Sequence, residues 1–192
     1  MHTKLYCLAM LLILASCAPV TIVQLKRTPV DEQTVALAEK GDPKAQFHVG
    51  ALSLANLDLV TARHWFRKAA EQGDAGGQSL LAHMFHWGLG GPRDYAEALK
   101  WYRKAAEQGD SSSHYGLGSL YAEGHGVPKD SIRAYMWLSL SLAGAPPLPE
   151  NSKKEATEML AKLTRSMTPQ ELAKAQAMAE ACRAAQFQRC DE

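Results

Sequence analysis

The segment Trp65-Phe66-Arg67-Lys68-Ala69-Ala70-Glu71-Gln72-Gly73-Asp74 returns as Trp101-Tyr102-Arg103-Lys104-Ala105-Ala106-Glu107-Gln108-Gly109-Asp110, offset by 36 residues, with one Phe/Tyr exchange in ten positions. Trp137 keeps the same phase. Self-similarity at a fixed period of about 20 to 50 residues marks stacked structural repeats, in which each unit buries its apolar face only against its neighbours. Such a chain folds as an array, not around one central core.

The Gly-Asp pairs at 41/42, 73/74 and 109/110 punctuate the array. Glycine takes the left-handed conformation that ends a helix, and the Asp side chain caps the next one. Pro43 suits the first helical position after Asp42. The unit is therefore a pair of antiparallel helices, A and B. Counted from each Asp as zero, the apolar and small residues of helix A fall at positions 3, 7, 8, 10 and 11, which share one side at 100° per residue. Gly50, Ala82 and Gly118 let helix backbones approach closely, and Leu117, Leu120 and Tyr121 with Trp137 supply buried area.

The second unit reads Gly77, Leu81-Ala82, Phe85, Gly88-Leu89-Gly90-Gly91-Pro92, Asp94, Ala98, Trp101. The third reads Ser113, Leu117-Gly118, Tyr121, Gly124-His125-Gly126-Val127-Pro128, Asp130, Ala134, Trp137. Over about residues 35 to 143 this pattern resembles the Sel-one-like repeat (SLR) family, short α/α repeats related to the tetratricopeptide repeat. The resemblance implies an all-α, right-handed α/α solenoid of helix-turn-helix units and a role in protein–protein scaffolding. The units are expected at about 38–69, 70–105 and 106–141, within a repeat region of 31–143.

The first unit departs from the pattern: Ser53 stands where Phe85 and Tyr121 stand, and four residues of the Gly-rich connector are missing before Asp58. It reads as an end of the stack. Gly144, Pro146, Pro147 and Pro149 break the helical phase. Beyond them, residues 144–192 are expected to cap the other end. One helix is carried by Ala156, Met159, Leu160 and Leu163, and a second opens on the capping box Thr168-Pro169-Gln170-Glu171 and presents Leu172, Ala175, Ala179 and Cys182.

Residues 1–17 read as a secretory signal: His2 and Lys4, an apolar run from Leu5 to Ala15, then small residues. The run falls short of the roughly 20 apolar residues a membrane-spanning helix needs. Leu14-Ala15-Ser16-Cys17 resembles the lipobox of bacterial lipoproteins, which implies lipidation of Cys17 after cleavage of the signal. Ala18 in place of Asp favours the outer membrane, facing the periplasm, by resemblance to the enterobacterial sorting rule. Residues 18–30, with Pro19 and Pro29, read as a spacer. Cys182 and Cys190 are then the remaining pair, suited to a disulfide in an oxidising compartment, with two free thiols as the other reading.

Loss of residues 1–17 removes one Lys of 21 basic residues and none of 20 acidic ones, which leaves the chain formally neutral. That balance carries no electrostatic footprint for nucleic acid or for an anionic membrane surface. No Ser-x-x-Lys, Lys-Thr-Gly, Gly-x-Ser-x-Gly, His-Glu-x-x-His, Walker or dinucleotide-binding motif is present, so no catalytic residue, metal or cofactor is assigned. His83 and His86 lie at i and i+3, but no carboxylate or third His shares their register on the helix, so they read as solvated or interface side chains.

Positions 5, 9 and 12 of helix A point away from the core face. In related solenoids helix A lines the concave side. Phe47, His83, His86 and Tyr115 are on that basis the expected partner contacts, with Trp87 beside them, in place of the polar Glu123 of the next unit; packing of Trp87 under the Gly-rich loop is the other reading. The function expected is that of a non-catalytic envelope lipoprotein that binds a protein partner through its groove. A β-lactamase-like or penicillin-binding hydrolase and a peptidoglycan- or glycan-binding module are the alternatives.

Overall fold

The computed structural model describes residues 31–188 and Cys190. The signal, Cys17 and the spacer lie outside the described residues. Among the described residues there are nine helices and no strand: α1 (Glu32–Glu39), α2 (Pro43–Ala55), α3 (Leu59–Glu71), α4 (Ala75–Trp87), α5 (Tyr95–Ala106), α6 (Ser111–Glu123), α7 (Ser131–Ala143), α8 (Glu150–Ser166) and α9 (Pro169–Ala184). Each helix packs on the next as far as α8, and α9 returns to α7, so α7 is covered from two sides. The result is an α/α solenoid in which α2, α4 and α6 are the A helices and α3, α5 and α7 the B helices. No helix among the described residues is long and apolar enough to cross a membrane.

The Gly-Asp pairs act as hinge and cap together. Gly41, Gly73 and Gly109 have φ of 98°, 91° and 82°, the left-handed turn that frees the chain from a helix. The Asp after each donates its backbone N–H to close the finished helix, as Asp74 does to the Ala69 carbonyl at 3.1 Å. Its carboxylate then opens the next helix: Asp42, Asp74 and Asp110 each accept a third-residue N–H at 2.7 Å. One residue thus satisfies orphan groups at two helix ends.

The core runs the length of the array from Ala62 to Cys182. Phe66, Leu81, Met84, Leu117, Leu120, Met136, Leu138 and Leu140 are its largest fully buried apolar side chains. Helix A positions 3, 7, 8, 10 and 11 of the second and third units are buried throughout. A separate small cluster of Ala38, Ala45 and Val49 sits at the first unit. Trp101 and Trp137 are buried while Trp65 is only half-buried, because the shortened first unit supplies less surface to cover it. Lys68 lies 4.7 Å from the Trp65 ring centre and Lys104 4.6 Å from that of Trp101, so the repeated lysine also covers the repeated aromatic.

A polar ladder that the apolar pattern conceals ties the units together. Gln46, Gln78 and His114 occupy one repeat position, and each donates to the carbonyl eight residues before it: Ala38 at 3.1 Å, Ala70 at 3.2 Å and Ala106 at 3.2 Å. Gln72 donates to Gln46 Oε1 at 2.7 Å, and Gln108 to Gln78 Oε1 at 2.8 Å. The ladder satisfies buried polar atoms at successive unit boundaries.

The Gly-rich connectors are determined by close approach. A Cβ on Gly90 would collide with the Leu59 carbonyl, and one on Gly126 would lie 2.8 Å from Tyr95 Cβ, so each connector crosses the start of the preceding B helix with no room for a side chain. Arg63 of α3, buried, reaches the Pro92 carbonyl at 3.3 Å and lies 4.1 Å from the Phe85 ring centre, locking the first of these connectors.

Beyond α7, α8 and α9 carry the expected inward residues: Ala156, Leu163, Ala175, Ala179 and Cys182 are buried. Thr168 and Glu171 complete a reciprocal capping box. Cys182 and Cys190 are joined by a disulfide. That loop sets Phe187 against His114, with ring centres 4.9 Å apart.

Candidate functional site

The A helices and α8 enclose a groove of about 780 Å³. Phe47, His83, His86, Trp87 and Tyr115 all line it, although they come from three helices and span most of the repeat region. Stacking the same helix face at intervals of one repeat is what brings them together. Leu54, Leu80, Met84 and Leu89 add an apolar floor, and Asp110, Asn151 and Glu155 a polar edge.

The five side chains differ in how free they are. Trp87, the last residue of α4, is 55% exposed and stands at the rim. His83, one turn earlier, is exposed, with its ring 6.2 Å from Trp87. Phe47 is half-buried: it packs on Phe66 at 5.9 Å, and its ring fills the space above Gly76, where a Cβ would be 2.8 Å away. Phe47 is therefore as much a wall between the first two units as a contact surface.

Tyr115 donates its hydroxyl to Glu155 Oε2 at 2.6 Å, linking α6 to α8 across the groove. Burial, then the Glu155 carboxylate, raise the Tyr115 pKa above its ordinary value, so the phenol stays a donor. The partner of the hydroxyl comes from a helix outside the repeat period.

His86 is 4% exposed, so of the two readings, solvated or interface, the solvated one does not hold. Trp87 stacks on it at 4.8 Å and 4°, and the rings of Tyr95 and Tyr102 meet it edge-on at 5.6 and 6.1 Å. Desolvation lowers its pKa to about 4, aided by the nearby His83, His125 and Arg93, so the imidazole is neutral at pH 7. Its role in the groove is to hold Trp87 flat.

Ser79 on the groove wall is tied to a helix cap. Ser79 donates to Asp110 Oδ1 at 2.8 Å, the same oxygen that caps α6 at the Ser113 N–H. That carboxylate is committed to a helix end and is no general base for Ser79.

The Sel1 repeat model matches residues 43–74, 75–110 and 111–144, just over half of the chain. The chain belongs to the Sel1 repeat family. The matched units begin at 43, 75 and 111, directly after the Gly-Asp pairs. Among solved structures with this fold is a protective antigen present in uropathogenic Escherichia coli strains that displays an SLR fold. It is 27% identical with a TM-score of 0.68 over 82% of this chain and 34% of that one. A Sel1 repeat protein from Oxalobacter formigenes is 32% identical with a TM-score of 0.54, covering 66% of this chain and 96% of that one. This chain thus spans about a third of the length of the E. coli antigen. A comparison with curated proteins returns no match. Sel1 repeat proteins generally mediate protein–protein interaction and are typically non-catalytic scaffolds.

Proposed function

We propose that this Sel1 repeat protein is an envelope lipoprotein that receives another protein in the groove formed by α2, α4, α6 and α8, and performs no reaction there. The observation that carries the proposal is Trp87: a large aromatic more than half exposed, held flat by His86 at the mouth of an apolar-floored groove. Rigid, exposed Trp side chains beside apolar pockets are the residue type that dominates binding energy at interfaces. The polar edge of Asp110, Asn151 and Glu155 supplies hydrogen-bonding groups at the rim.

The envelope address rests on Leu14-Ala15-Ser16-Cys17. Acyl chains on Cys17 contribute about 0.8 kcal/mol per buried methylene, so two or more hold the protein on a bilayer without a spanning helix. Cys17→Ser is expected to move the protein from the membrane fraction to the soluble one.

Affinity capture of the lipidated protein from solubilised envelopes tests the groove. A protein retained by the native chain and by Lys100→Ala, whose side chain is exposed on α5, but released by Trp87→Ala, supports the proposal. Retention by all three contradicts it. Binding to purified sacculi that Trp87→Ala abolishes assigns the groove to glycan instead, and nitrocefin turnover assigns it to a hydrolase.

A further inference from the structure

His86 at the end of α4, Glu123 at the end of α6 and His125 in the following connector come from two different repeats, yet one donor atom from each lies within 4.8 Å of the others. His125 Nδ1 and Glu123 Oε2 are already 2.9 Å apart. His86 is buried, and its Nδ1 has no hydrogen-bond partner among the described residues. We infer that His86, Glu123 and His125 form a binding site for a divalent cation of the zinc type.

Two imidazoles and one carboxylate suit zinc in chemistry as well as number. Hard cations such as Mg²⁺ and Ca²⁺ take all-oxygen shells and gain little from imidazole. Zinc bound at about 2.0–2.1 Å puts tetrahedral ligands about 3.3 Å apart. Separations of up to 4.8 Å must therefore shorten by as much as about 1.5 Å, while the His125–Glu123 pair at 2.9 Å opens slightly, and His125 is the residue placed to make the adjustment. His125 lies on the exposed connector between Gly124 and Gly126, whose φ of 77° and 71° are open to few other residues. Its side chain is 41% exposed.

The rings around the site orient its ligands. His125 stacks on Tyr95 at 4.4 Å and 11°, and the edge of Tyr95 faces His86. The cation of Arg93 is nearby, but it is turned to the Tyr95 hydroxyl, at 3.0 Å. With three protein ligands the fourth position falls to water. A cation here ties the connector of the third repeat to helix A of the second, and so fixes the wall that carries Trp87.

The test uses the untagged full chain, stripped of metal with a chelator and titrated with Zn²⁺ by calorimetry, with melting followed in parallel. One zinc per chain is expected. The melting temperature should rise by about 5–10 °C at a free zinc concentration near 100 times Kd, and Mg²⁺ should leave it unchanged. His125→Ala and Glu123→Gln, both at non-core positions and so able to fold, should each weaken zinc at least tenfold. Co²⁺ in place of zinc should give the visible absorption of a tetrahedral ion, lost in His125→Ala. Absence of saturable zinc binding, or equal affinity in His125→Ala, overturns the inference and leaves a close His–Glu contact beside a buried His.

Discussion

Tyr115 and Glu155 meet across the groove at 2.6 Å, so the repeat array and its terminal helix form one wall. The bond is charge-assisted but partly exposed, which places its worth at the lower end for such bonds, about 1.5 kcal/mol. Tyr115→Phe is expected to lower unfolding stability by about that amount, measured by urea denaturation. The larger effect should be on the groove: without the link α8 is freer to move from α6, and amide exchange over residues 150–158 should quicken.

Gly118 and Leu138 show how tightly A and B helices cross. A Cβ on Gly118 would stand 2.7 Å from Leu138 Cγ and 3.1 Å from the Leu138 backbone nitrogen. Side-chain movement relieves the first contact but not the second. Gly118→Ala should cost about 1–3 kcal/mol through overpacking. Combined with Leu138→Ala, it should cost less than the sum of the single changes, a non-additivity that a double-mutant cycle reads directly.

Much of this was legible because it is local or periodic. Gly73-Asp74 and Gly109-Asp110 announce a helix end and a cap from two letters, and the apolar positions of helix A recur at a fixed count from each Asp. The ladder of Gln46 and Gln78 was not legible, since a glutamine on a helix reads as surface until its carbonyl partner is known. The pairing of Tyr115 with Glu155 depends on where α8 docks, and α8 lies outside the repeat. His125 reaches His86 only because stacking lays one unit's connector against the preceding helix A, a proximity that register along a single helix cannot reveal.

The ladder makes its own prediction. Gln78 donates to the Ala70 carbonyl and accepts from Gln108, so Gln78→Ala removes two hydrogen bonds at a unit boundary, while the Ala70 carbonyl keeps the Gly73 N–H and Gln108 keeps the Gly73 carbonyl. The expected loss is about 1–3 kcal/mol in chemical denaturation. Gln78→Glu should also destabilise, since it keeps the acceptor but replaces the donor to Ala70 with a carboxylate oxygen.

His114 occupies the same position in the third unit and makes stability depend on pH. It is fully buried against Trp137 and Phe187, donates from Nε2 to Ala106, and leaves Nδ1 unpaired. Burial lowers its pKa below 6.5, so in the window beneath 6.5 the unfolded chain takes up a proton that the folded one refuses. Stability is then complete above pH 6.5 and falls as pH drops toward the folded pKa. His114→Gln, which copies Gln46 and Gln78, should retain the bond to Ala106 and flatten part of this dependence in melts between pH 7 and 5.

Removal of residues 145–192 strips α8 and α9 from α7 and uncovers the apolar end of the array, where Met136, Leu138 and Leu140 are buried. Terminal repeats without a polar outer face aggregate. The truncated chain should elute as large species in size-exclusion chromatography; a monomer that melts cooperatively contradicts the capping role of these helices.

The groove itself is tested most directly by photocrosslinking in living cells. A photoreactive residue at His83, exposed inside the groove, is compared with one at Lys100, exposed on α5, and the adducts are identified by mass spectrometry. A groove that receives a protein yields one dominant adduct from position 83, lost when Trp87 is changed to Ala, and none from position 100. Adducts from position 100 alone, or the same scattered products from both, would contradict it.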